Sequence, residues 1–382
     1  MIADALSRLR SAMLAADIEV MLIDHGELLA WLTGYTVSET RYRACLVPLQ
    51  DEPWMVLRQL DAAPCRAQSP QLAIDAYRDE DDPWLAVAQS LTRRGYQRAR
   101  LGADYASYGM TVHSWQQLAR HLPGVRWCDV SGISDRLRSV KFQAEIASLR
   151  QAASIADATL AQLSAQVQGG WRVRDVAALA AAQFLRLGAD SGETGPIVIA
   201  SGDNGFLHAS GHEQRLQAGD VLHVELIPKV RHYSARLMRP LIVGESSAAR
   251  AALAQQLIAI QDRQLRAMKP GVAACTVDAV AREAVLSAGL REDYSNITGY
   301  ALGLYTRTPR PSDFSCCFHP QAPWLLEENM VFHMYISAQG LAFSETVRVT
   351  AQGAERLTTL PRQPFTLPAN NKQDDVQCRT LN

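Results

Sequence analysis

Residues 200–227 read ASGDNGFLHASGHEQRLQAGDVLHVELI and contain both a loop histidine and a carboxylate within a strand pattern. The turn signal Gly219-Asp220 precedes the apolar run 221–227, which predicts a buried strand. Glu225 lies inside this run, where an unpaired carboxylate would be costly to bury. Arg236, on the next predicted strand, is therefore a candidate partner for Glu225, either in a structural ion pair or in a functional site.

Two helices followed by strands occur twice after Val140, which indicates an internal duplication. The predicted helices are Ala144–Leu163, Val173–Leu187, Ala248–Met268 and Val277–Ala288, and the predicted strands include Pro196–Ala200, Val221–Leu226 and Pro240–Val243. The residues before Val140 also alternate helix and strand patterns, as in an α/β domain. Residues 358–382 are polar with little periodicity, which predicts a loosely ordered tail.

The composition is that of an ordinary globular protein. Of the 382 residues, 48% are hydrophobic and 20% are charged, and the net charge is −1. This balance favours neither nucleic acid nor an anionic membrane as a partner, and no run of about 18 apolar residues predicts a membrane span. The seven cysteines are scattered without a CxxC pair. We therefore expect reduced thiols in the cytoplasm and no cysteine zinc site.

Seven short segments along the chain are informative together: 31–35 (WLTGY), 140–146 (VKFQAEI), 200–208 (ASGDNGFLH), 219–221 (GDV), 298–304 (TGYALGL), 329–332 (NMVF) and 345–354 (ETVRVTAQGA). They resemble, in the same order, motifs of the creatinase and methionine aminopeptidase family (peptidase M24). The resemblance implies an α+β protein. Residues 1–137 would form an N-terminal α/β domain of ribonuclease-H-like topology, 138–357 a duplicated pita-bread domain, and 358–382 the polar tail.

The peptidases of this family hold two metal ions with two aspartates, one histidine and two glutamates, because such ligands suit a dinuclear centre. The corresponding positions in this sequence are Glu225, Arg236, Tyr300, Tyr335 and Ser344. One carboxylate remains, and a cationic arginine would repel a divalent ion. We therefore expect no bound metal, and nothing in the sequence indicates another cofactor.

The changed ligand set resembles the metal-independent branch of the family, which includes creatine and ectoine hydrolases. The glutamates that hold the guanidinium in creatinase-type enzymes fall on Met238 and Tyr335, which disfavours creatine. Segments 30–35 (AWLTGY), 225–228 (ELIP), 299–304 (GYALGL) and 330–334 (MVFHM) resemble the ectoine hydrolase pattern, whereas 305–318 departs from it. The resemblance implies metal-independent hydrolysis of a C–N bond, in a cyclic amidine or amide of a small zwitterionic substrate.

Three residues are candidates for catalysis. His208 falls at the catalytic histidine of creatinase-type enzymes, and histidine side chains suit proton transfer near neutral pH; the alternative is an ordinary loop histidine. Glu225 would orient water or the leaving nitrogen, unless it only pairs with an arginine. Tyr300 would donate a hydrogen bond to an oxyanion where a metal otherwise acts, unless it is a core aromatic.

The remaining candidates would bind the substrate. Arg41 falls where creatinase-like enzymes place an arginine that reaches into the neighbouring subunit and binds the substrate carboxylate, although a solvated surface is the alternative. The other arginine candidates are Arg236, Arg307 and Arg310. Tyr335 and Glu345 lie at or next to former ligand positions, although a structural role is the favoured interpretation of Glu345. The histidines expected to be ordinary are His212, His223, His232, His319 and His333.

The position of Arg41 predicts a homodimer in which each N-terminal domain completes the partner's site. Two further functional classes stay open, because one scaffold hosts many activities. One is a non-catalytic ligand- or peptide-binding descendant of the fold, and the other is a lyase that acts on a betaine-like substrate. Convergence of His208, Glu225 and Tyr300 within hydrogen-bond reach would favour an enzyme.

Overall fold

The computed structural model describes residues 2–36, 41–200, 205–306 and 316–369. They belong to two compact units, Met1–Ser139 with Leu304–Ser315, and Val140–Gly303 with Cys316–Asn382. The first boundary lies close to the one expected at residue 137, but the return of the chain to the first unit was not expected. Two of the candidate substrate arginines, Arg307 and Arg310, lie outside the described residues. Within the described part of the chain, no helix is long and apolar enough to cross a membrane.

The first unit contains a six-stranded mixed sheet. Its helices are α1 (Ile2–Ala15), α2 (Gly26–Thr33), α3 (Ala62–Gln68), α4 (Pro83–Arg93), α5 (Val112–His121) and α6 (Ile133–Ser139), and its strands are β1 (Val20–Ile23), β2 (Ala44–Pro48), β3 (Trp54–Arg58), β4 (Ala73–Tyr77), β5 (Arg100–Ala103) and β6 (Arg126–Asp129). The strand order is β4-β3-β2-β1-β5-β6. The pairs β1–β2 and β2–β3 are antiparallel, and the other pairs are parallel. Its finer assignment to the ribonuclease-H-like topology stays a prediction.

Hydrogen bonds hold residues 304–306, where the chain returns to the first unit. Thr306 donates from its backbone nitrogen and its hydroxyl to Oε1 of Glu27, at 3.1 and 2.8 Å, and Glu27 is fully buried in α2. Arg138 donates to the carbonyl of Leu304 at 3.1 Å. A buried carboxylate needs such donors, but nothing in the periodicity of the sequence shows where they come from.

A buried acid lies directly after β1. Asp24 accepts hydrogen bonds from the hydroxyls of Ser107 at 2.6 Å and Tyr42 at 3.1 Å. Burial outweighs these two bonds and raises the pKa of Asp24 to about 6. The nearby Asp104, which follows the neighbouring strand β5, contributes to the rise.

The second unit repeats the order of two helices followed by strands, as the sequence predicts. Its helices are α7 (Gln143–Gln166), α8 (Val173–Arg186), α9 (Ala248–Ala267) and α10 (Ala274–Ser287). Its strands are β7 (Ile197–Ile199), β8 (Val221–Leu226), β9 (Lys229–Val230), β10 (Tyr233–Ser234), β11 (Leu237–Val243), β12 (Gly299–Ala301), β13 (Cys317–Phe318), β14 (Val331–Ala338), β15 (Leu341–Thr350), β16 (Gly353–Arg356) and β17 (Phe365–Leu367). The main sheet has the order β13-β12-β14-β15-β11-β8-β7, while β16 pairs with β15 and β17 with β11.

The polar tail expected from residue 358 does not begin there. The strand β17 pairs in parallel with β11, from Leu241↔Phe365 to Val243↔Leu367. The hydroxyl of Thr358 is buried and donates to Oε2 of Glu345. A strand of three residues is too short for periodicity to reveal, so the sequence reading missed it. Residues 370–382 lie outside the described part of the chain.

Candidate functional site

Four neighbouring strands place Glu225, Met238, Ser344 and Tyr335 in one row across the second sheet. The direct pairs are Glu225↔Met238, Met238↔Ser344 and Tyr335↔Ser344. Directly paired side chains share a face, and side chains alternate between faces along each strand. The same face therefore carries the residues two positions away along each strand, which include His223, Arg236, His333 and Thr346. It also carries Tyr300, which pairs with His333. We call this surface the site face, and all five former ligand positions lie on it.

An ion pair forms the polar centre of the site face. Nη1 of Arg236 lies 3.1 Å from Oε1 of Glu225, and both side chains are more than nine-tenths buried. Burial raises the pKa of the Glu225 carboxyl, and the charge and the hydrogen bond of Arg236 oppose that rise, as does His208 when it is protonated. The backbone of Arg236 is fixed by the hydroxyl of Thr346, which accepts from its nitrogen at 2.8 Å and donates to its oxygen at 2.9 Å.

A glycine allows the chain before β7 to pass directly over Glu225. A Cβ atom at Gly195 would lie 2.9 Å from Cγ of Glu225 and 2.8 Å from its carbonyl oxygen, both closer than normal packing allows. The backbone nitrogen of Glu225 donates to the carbonyl of Pro196 at 2.9 Å. The loop and the strand therefore fix the position of Glu225 together.

Aromatic rings extend the site from the ion pair. The guanidinium carbon of Arg236 lies 5.4 Å from the ring centroid of Tyr300, a cation–π arrangement. The rings of Tyr300 and His333 meet edge to face at 5.0 Å, and those of His333 and Tyr335 are stacked at 5.3 Å. The hydroxyl of Tyr335 accepts from Nδ2 of Asn296 at 3.2 Å, and burial raises the pKa of this phenol.

His208 occupies an exposed 3₁₀ turn at Gly205–His208. The turn is anchored by Phe206, whose buried ring meets the ring of His223 edge to face at 5.0 Å. The charge of His208 acts on Glu225. The structure thus groups Glu225, Arg236, Tyr300 and Tyr335 directly, whereas His208 is linked to this group only through its electrostatic effect on Glu225.

Glu345 does not belong to the site face, which corrects the expectation that it binds the substrate. It follows Ser344 in β15, and adjacent residues in a strand point to opposite faces. Its Oε1 lies 2.7 Å from Nη2 of Arg239, and both side chains are fully buried. Arg356 and Arg362 are 3.6 and 3.7 Å from the same oxygen. The carboxylate is therefore engaged in a structural network.

Arg41 lies on the surface of the first unit. Its side chain is exposed, and its Nη2 donates to the carbonyl of Asp79 at 3.0 Å. A hydrogen bond at such an exposed position costs little to break, so the guanidinium is available for another acceptor. Its role in binding a substrate carboxylate stays a prediction.

The sequence reading missed three residues of the site, among them two histidines that it took to be ordinary. His223 lies two residues before Glu225 in β8, and His333 lies two residues before Tyr335 in β14. The alternation of a strand places each on the face of its neighbour, a signal that a search for metal-ligand spacing does not use. Asn296 gives no such signal, because it precedes β12 in a loop.

The residues at the five former ligand positions do not fit a dinuclear metal centre. Arg236 and Tyr300 replace an acidic and an imidazole ligand, and the remaining carboxylate, Glu225, is paired with the arginine. No group of three or more His, Cys, Asp and Glu side chains in the described ranges is placed to hold a metal ion. Hard divalent cations require oxygen or imidazole ligands, which a guanidinium cannot replace.

The fold and the site define a two-domain protein with a creatinase-like N-terminal domain and a pita-bread-like second domain. The chain belongs to metallopeptidase family M24: residues 147–351 match that family, and residues 6–140 match the Creatinase/Prolidase N-terminal domain.

Its relatives have different activities. The uncharacterized hydrolase/peptidase y4tL of Sinorhizobium fredii is 27% identical over 91% of this chain and 92% of its own. The ectoine hydrolase of Halomonas elongata is 23% identical over 95% of this chain and 96% of its own. The solved structure of the Xaa-Pro dipeptidase from Bacillus anthracis covers 96% of this chain and 100% of its own with a TM-score of 0.83, at 21% identity. That structural likeness shows the fold alone.

Proposed function

We propose that this protein is a hydrolase that cleaves a C–N bond of a small zwitterion without a bound metal. The observation that carries the proposal is the buried Glu225–Arg236 pair, which occupies two former ligand positions. Such a pair offers one anionic and one cationic group at the same place. A small zwitterion carries the complementary charges, so its cationic end can pair with Glu225 and its anionic end with Arg236 in this buried site.

The proposed reaction assigns one role to each candidate. As the oxygen of water attacks the carbon of the C–N group, His208 removes a proton from that water. Tyr300 donates a hydrogen bond to the oxygen or nitrogen that receives the electron pair of the opened double bond. When the double bond forms again, the C–N bond breaks and His208 returns the proton to the leaving nitrogen. The products are an acid, or an amide in the case of an amidine, and an amine.

Glu225 and Arg236 would bind and orient. Glu225 orients the attacking water or the nitrogen that leaves, and Arg236 attracts the substrate carboxylate through the guanidinium N–H groups that do not face Glu225. Tyr335, held by Asn296, borders the same space. These roles supply the charge stabilisation that two metal ions provide in the peptidases of the family.

Ectoine and an Xaa-Pro dipeptide are the informative substrates, because relatives of this chain bear both activities in their names. Protein treated with a chelator is incubated with ectoine, with Ala-Pro and with a panel of small zwitterions, and products are measured by mass spectrometry. We expect turnover of a zwitterion without added metal. Cleavage of Ala-Pro that depends on added metal would refute the proposal. Binding of every ligand without product would favour the non-catalytic alternative.

Two histidine variants separate catalysis from general damage. His208→Ala should lower kcat by a factor of about 10² to 10⁴, the usual contribution of a positioned acid–base group. His212→Ala is the matched control, since His212 is another exposed histidine shortly after the same turn. Equal activity in both variants would remove His208 from the mechanism.

A further inference from the structure

Four polar side chains on this face of the sheet are fully buried and have no hydrogen-bonding partner within the described part of the chain. The unbonded atoms are both ring nitrogens of His223 and of His333 and the hydroxyls of Ser337 and Ser344. Buried polar groups in proteins are nearly always hydrogen-bonded, and each exception needs a specific explanation. Four exceptions on one face of one sheet indicate that the face is built to bond something other than the protein itself.

Three of these side chains, those of His223, His333 and Ser344, neighbour the candidate groups of the site face. The ring of His333 lies between those of Tyr300 and Tyr335. Ser344 pairs directly with Tyr335 across two strands. His223 lies two residues from Glu225 and packs on Phe206 in the turn that carries His208. A ligand that bonds these groups therefore lies beside the ion pair and the tyrosines.

Both histidines are neutral. Burial lowers the pKa of His223 to about 3, and it lowers the pKa of His333 well below its ordinary value. The positive charge of Arg236 lowers the pKa of His333 further. A neutral imidazole has one donor and one acceptor nitrogen, and a serine hydroxyl can both donate and accept. The group that matches them is polar, and it both donates and accepts hydrogen bonds.

We propose that His223, His333 and Ser344 form a neutral subsite that binds the planar C–N group of the substrate through its N–H, as in a secondary amide, a lactam or an amidine. This inference rests on the proposed function and narrows its substrate class. An N–H of the substrate donates to an imidazole nitrogen. In an amide or a lactam, an imidazole N–H or the serine hydroxyl also donates to the carbonyl oxygen of the same group, whereas a protonated amidine offers a second N–H instead. The tertiary amide of an Xaa-Pro peptide has no N–H and leaves the imidazole acceptors unbonded.

The first test compares ligands that differ in this group. Ectoine, a zwitterion, and 5-oxoproline, an anion, both carry a ring N–H beside a carboxylate, whereas glycine betaine and proline betaine carry both charges but no N–H. Binding to the purified full-length protein is measured by calorimetry. We expect at least one of the first two to bind at least 10-fold more tightly than both betaines, the discrimination that one lost buried hydrogen bond gives. Equal binding of all four, or binding of none, would overturn the subsite.

The second test uses His333→Phe, which keeps a flat ring between the two tyrosines and removes both nitrogens. Affinity for the N–H ligand should fall by a factor of about 10 to 100. The melting temperature of the free protein should stay equal or rise, because two unbonded polar atoms are lost. A purely structural or water-filled histidine would give the opposite pattern, a lower melting temperature with unchanged binding.

Gln264→Leu is the matched control. Gln264 is fully buried in α9, and neither of its amide atoms has a partner among the described residues. The helix packs against Ile336 and Phe343, which point away from the site face. This variant should keep the ligand affinity of the wild type. If every ligand that binds in the subsite is left uncleaved, the proposed hydrolase function is refuted and the subsite is retained. If His333→Phe cleaves the substrate at wild-type efficiency, the subsite is refuted and the hydrolase function is retained.

Discussion

Nη1 of Arg236 lies 3.1 Å from Oε1 of Glu225, so that two residues which the sequence resemblance assigns to metal-ligand positions of the family's peptidases bind each other. The arginine adds a fixed positive charge where a cation would be, and it partly offsets the burial that raises the pKa of the Glu225 carboxyl. The pair is thus both a structural unit and the polar centre of the proposed site. Its two roles can be separated by measuring stability and binding independently.

Removal of one partner of this pair should destabilise the protein strongly. Arg236→Met leaves Glu225 buried without its cation, which should lower the free energy of unfolding by about 3–5 kcal/mol at pH 8. The double variant Glu225→Met with Arg236→Met should recover most of this loss, because two apolar side chains replace the pair. Urea denaturation of the single and double variants tests this expectation.

An exposed ion pair supplies the control for that experiment. Arg174 pairs with Glu213, and both side chains are more than half exposed. Arg174→Ala should therefore cost no more than about 1 kcal/mol. A double variant at Glu225 and Arg236 that is as unstable as the single one would show that the lost stability comes from packing rather than from an unpaired charge.

The protein should contain no stoichiometric transition metal. At the five positions that the resemblance assigns to metal ligands, four residues lack a carboxylate or an imidazole, and a guanidinium occupies one of these positions. Elemental analysis of protein purified without chelator measures the content, with a metal-binding peptidase of the same family purified in parallel as the positive control. About two metal ions per chain would contradict the proposed metal-free chemistry.

Glu345 should affect stability more than ligand binding. Glu345→Gln removes the charge that faces Arg239, Arg356 and Arg362, and the first of these is fully buried. The free energy of unfolding should fall by about 3–5 kcal/mol. The folded fraction should bind ligands with wild-type affinity, because the carboxylate points away from the site face. Calorimetry at a temperature below the melting transition tests the second part, and a selective loss of affinity would return Glu345 to the site.

Asp24 should make the protein less stable as pH rises from about 4 to 6. Its pKa is about 6 in the folded protein and 3.8 in an ordinary environment. Between these values the unfolded chain releases the proton that the folded protein retains, so unfolding is favoured as pH rises. The contribution is about 3 kcal/mol over the window. Asp24→Asn has no such proton. The free energy of unfolding of the variant, relative to that of the wild type, should therefore increase from pH 4 to 7. Parallel urea curves for the two proteins at all pH values would contradict this.

The order of elements in the second unit was predictable because its helices are long and its strands are apolar. The predicted helix Ala248–Met268 corresponds to α9 at Ala248–Ala267, where the hydroxyl of Ser247 accepts from the nitrogen of Arg250 and caps the first turn. The strand around Glu225 was predictable for the same reason. Local patterns carry this information because each acts within one element.

The composition of the site was predictable only in part. The motifs identified the positions of Glu225, Arg236 and Tyr300, since the family's spacing carries them. Whether His333 and Glu345 belong to the site depends on which face of the sheet each side chain occupies. The register between neighbouring strands decides this, and it is set by pairing between distant parts of the chain. For the same reason the sequence did not show that Glu345 meets Arg239 on the opposite face.

The last prediction concerns assembly. We propose a homodimer in which Arg41 of one chain serves the site of its partner, and sedimentation should give twice the chain mass of 42.0 kDa. Arg41→Ala should weaken ligand binding without unfolding, since its hydrogen bond to the carbonyl of Asp79 is exposed. Arg78→Ala, at a highly exposed arginine of the same unit, is the control.

Mixing of the two variants, assayed at a substrate concentration at which neither has appreciable activity alone, tests whether the site is shared. If Arg41→Ala and His208→Ala chains exchange at random, half of the dimers are mixed, and one of the two sites in each mixed dimer retains both residues. Activity should then recover to about a quarter of the wild-type value, because a symmetric dimer has two equivalent sites. No recovery after proven exchange, or a fully active monomer, would place Arg41 outside the site and leave the Glu225–Arg236 pair to bind the substrate alone.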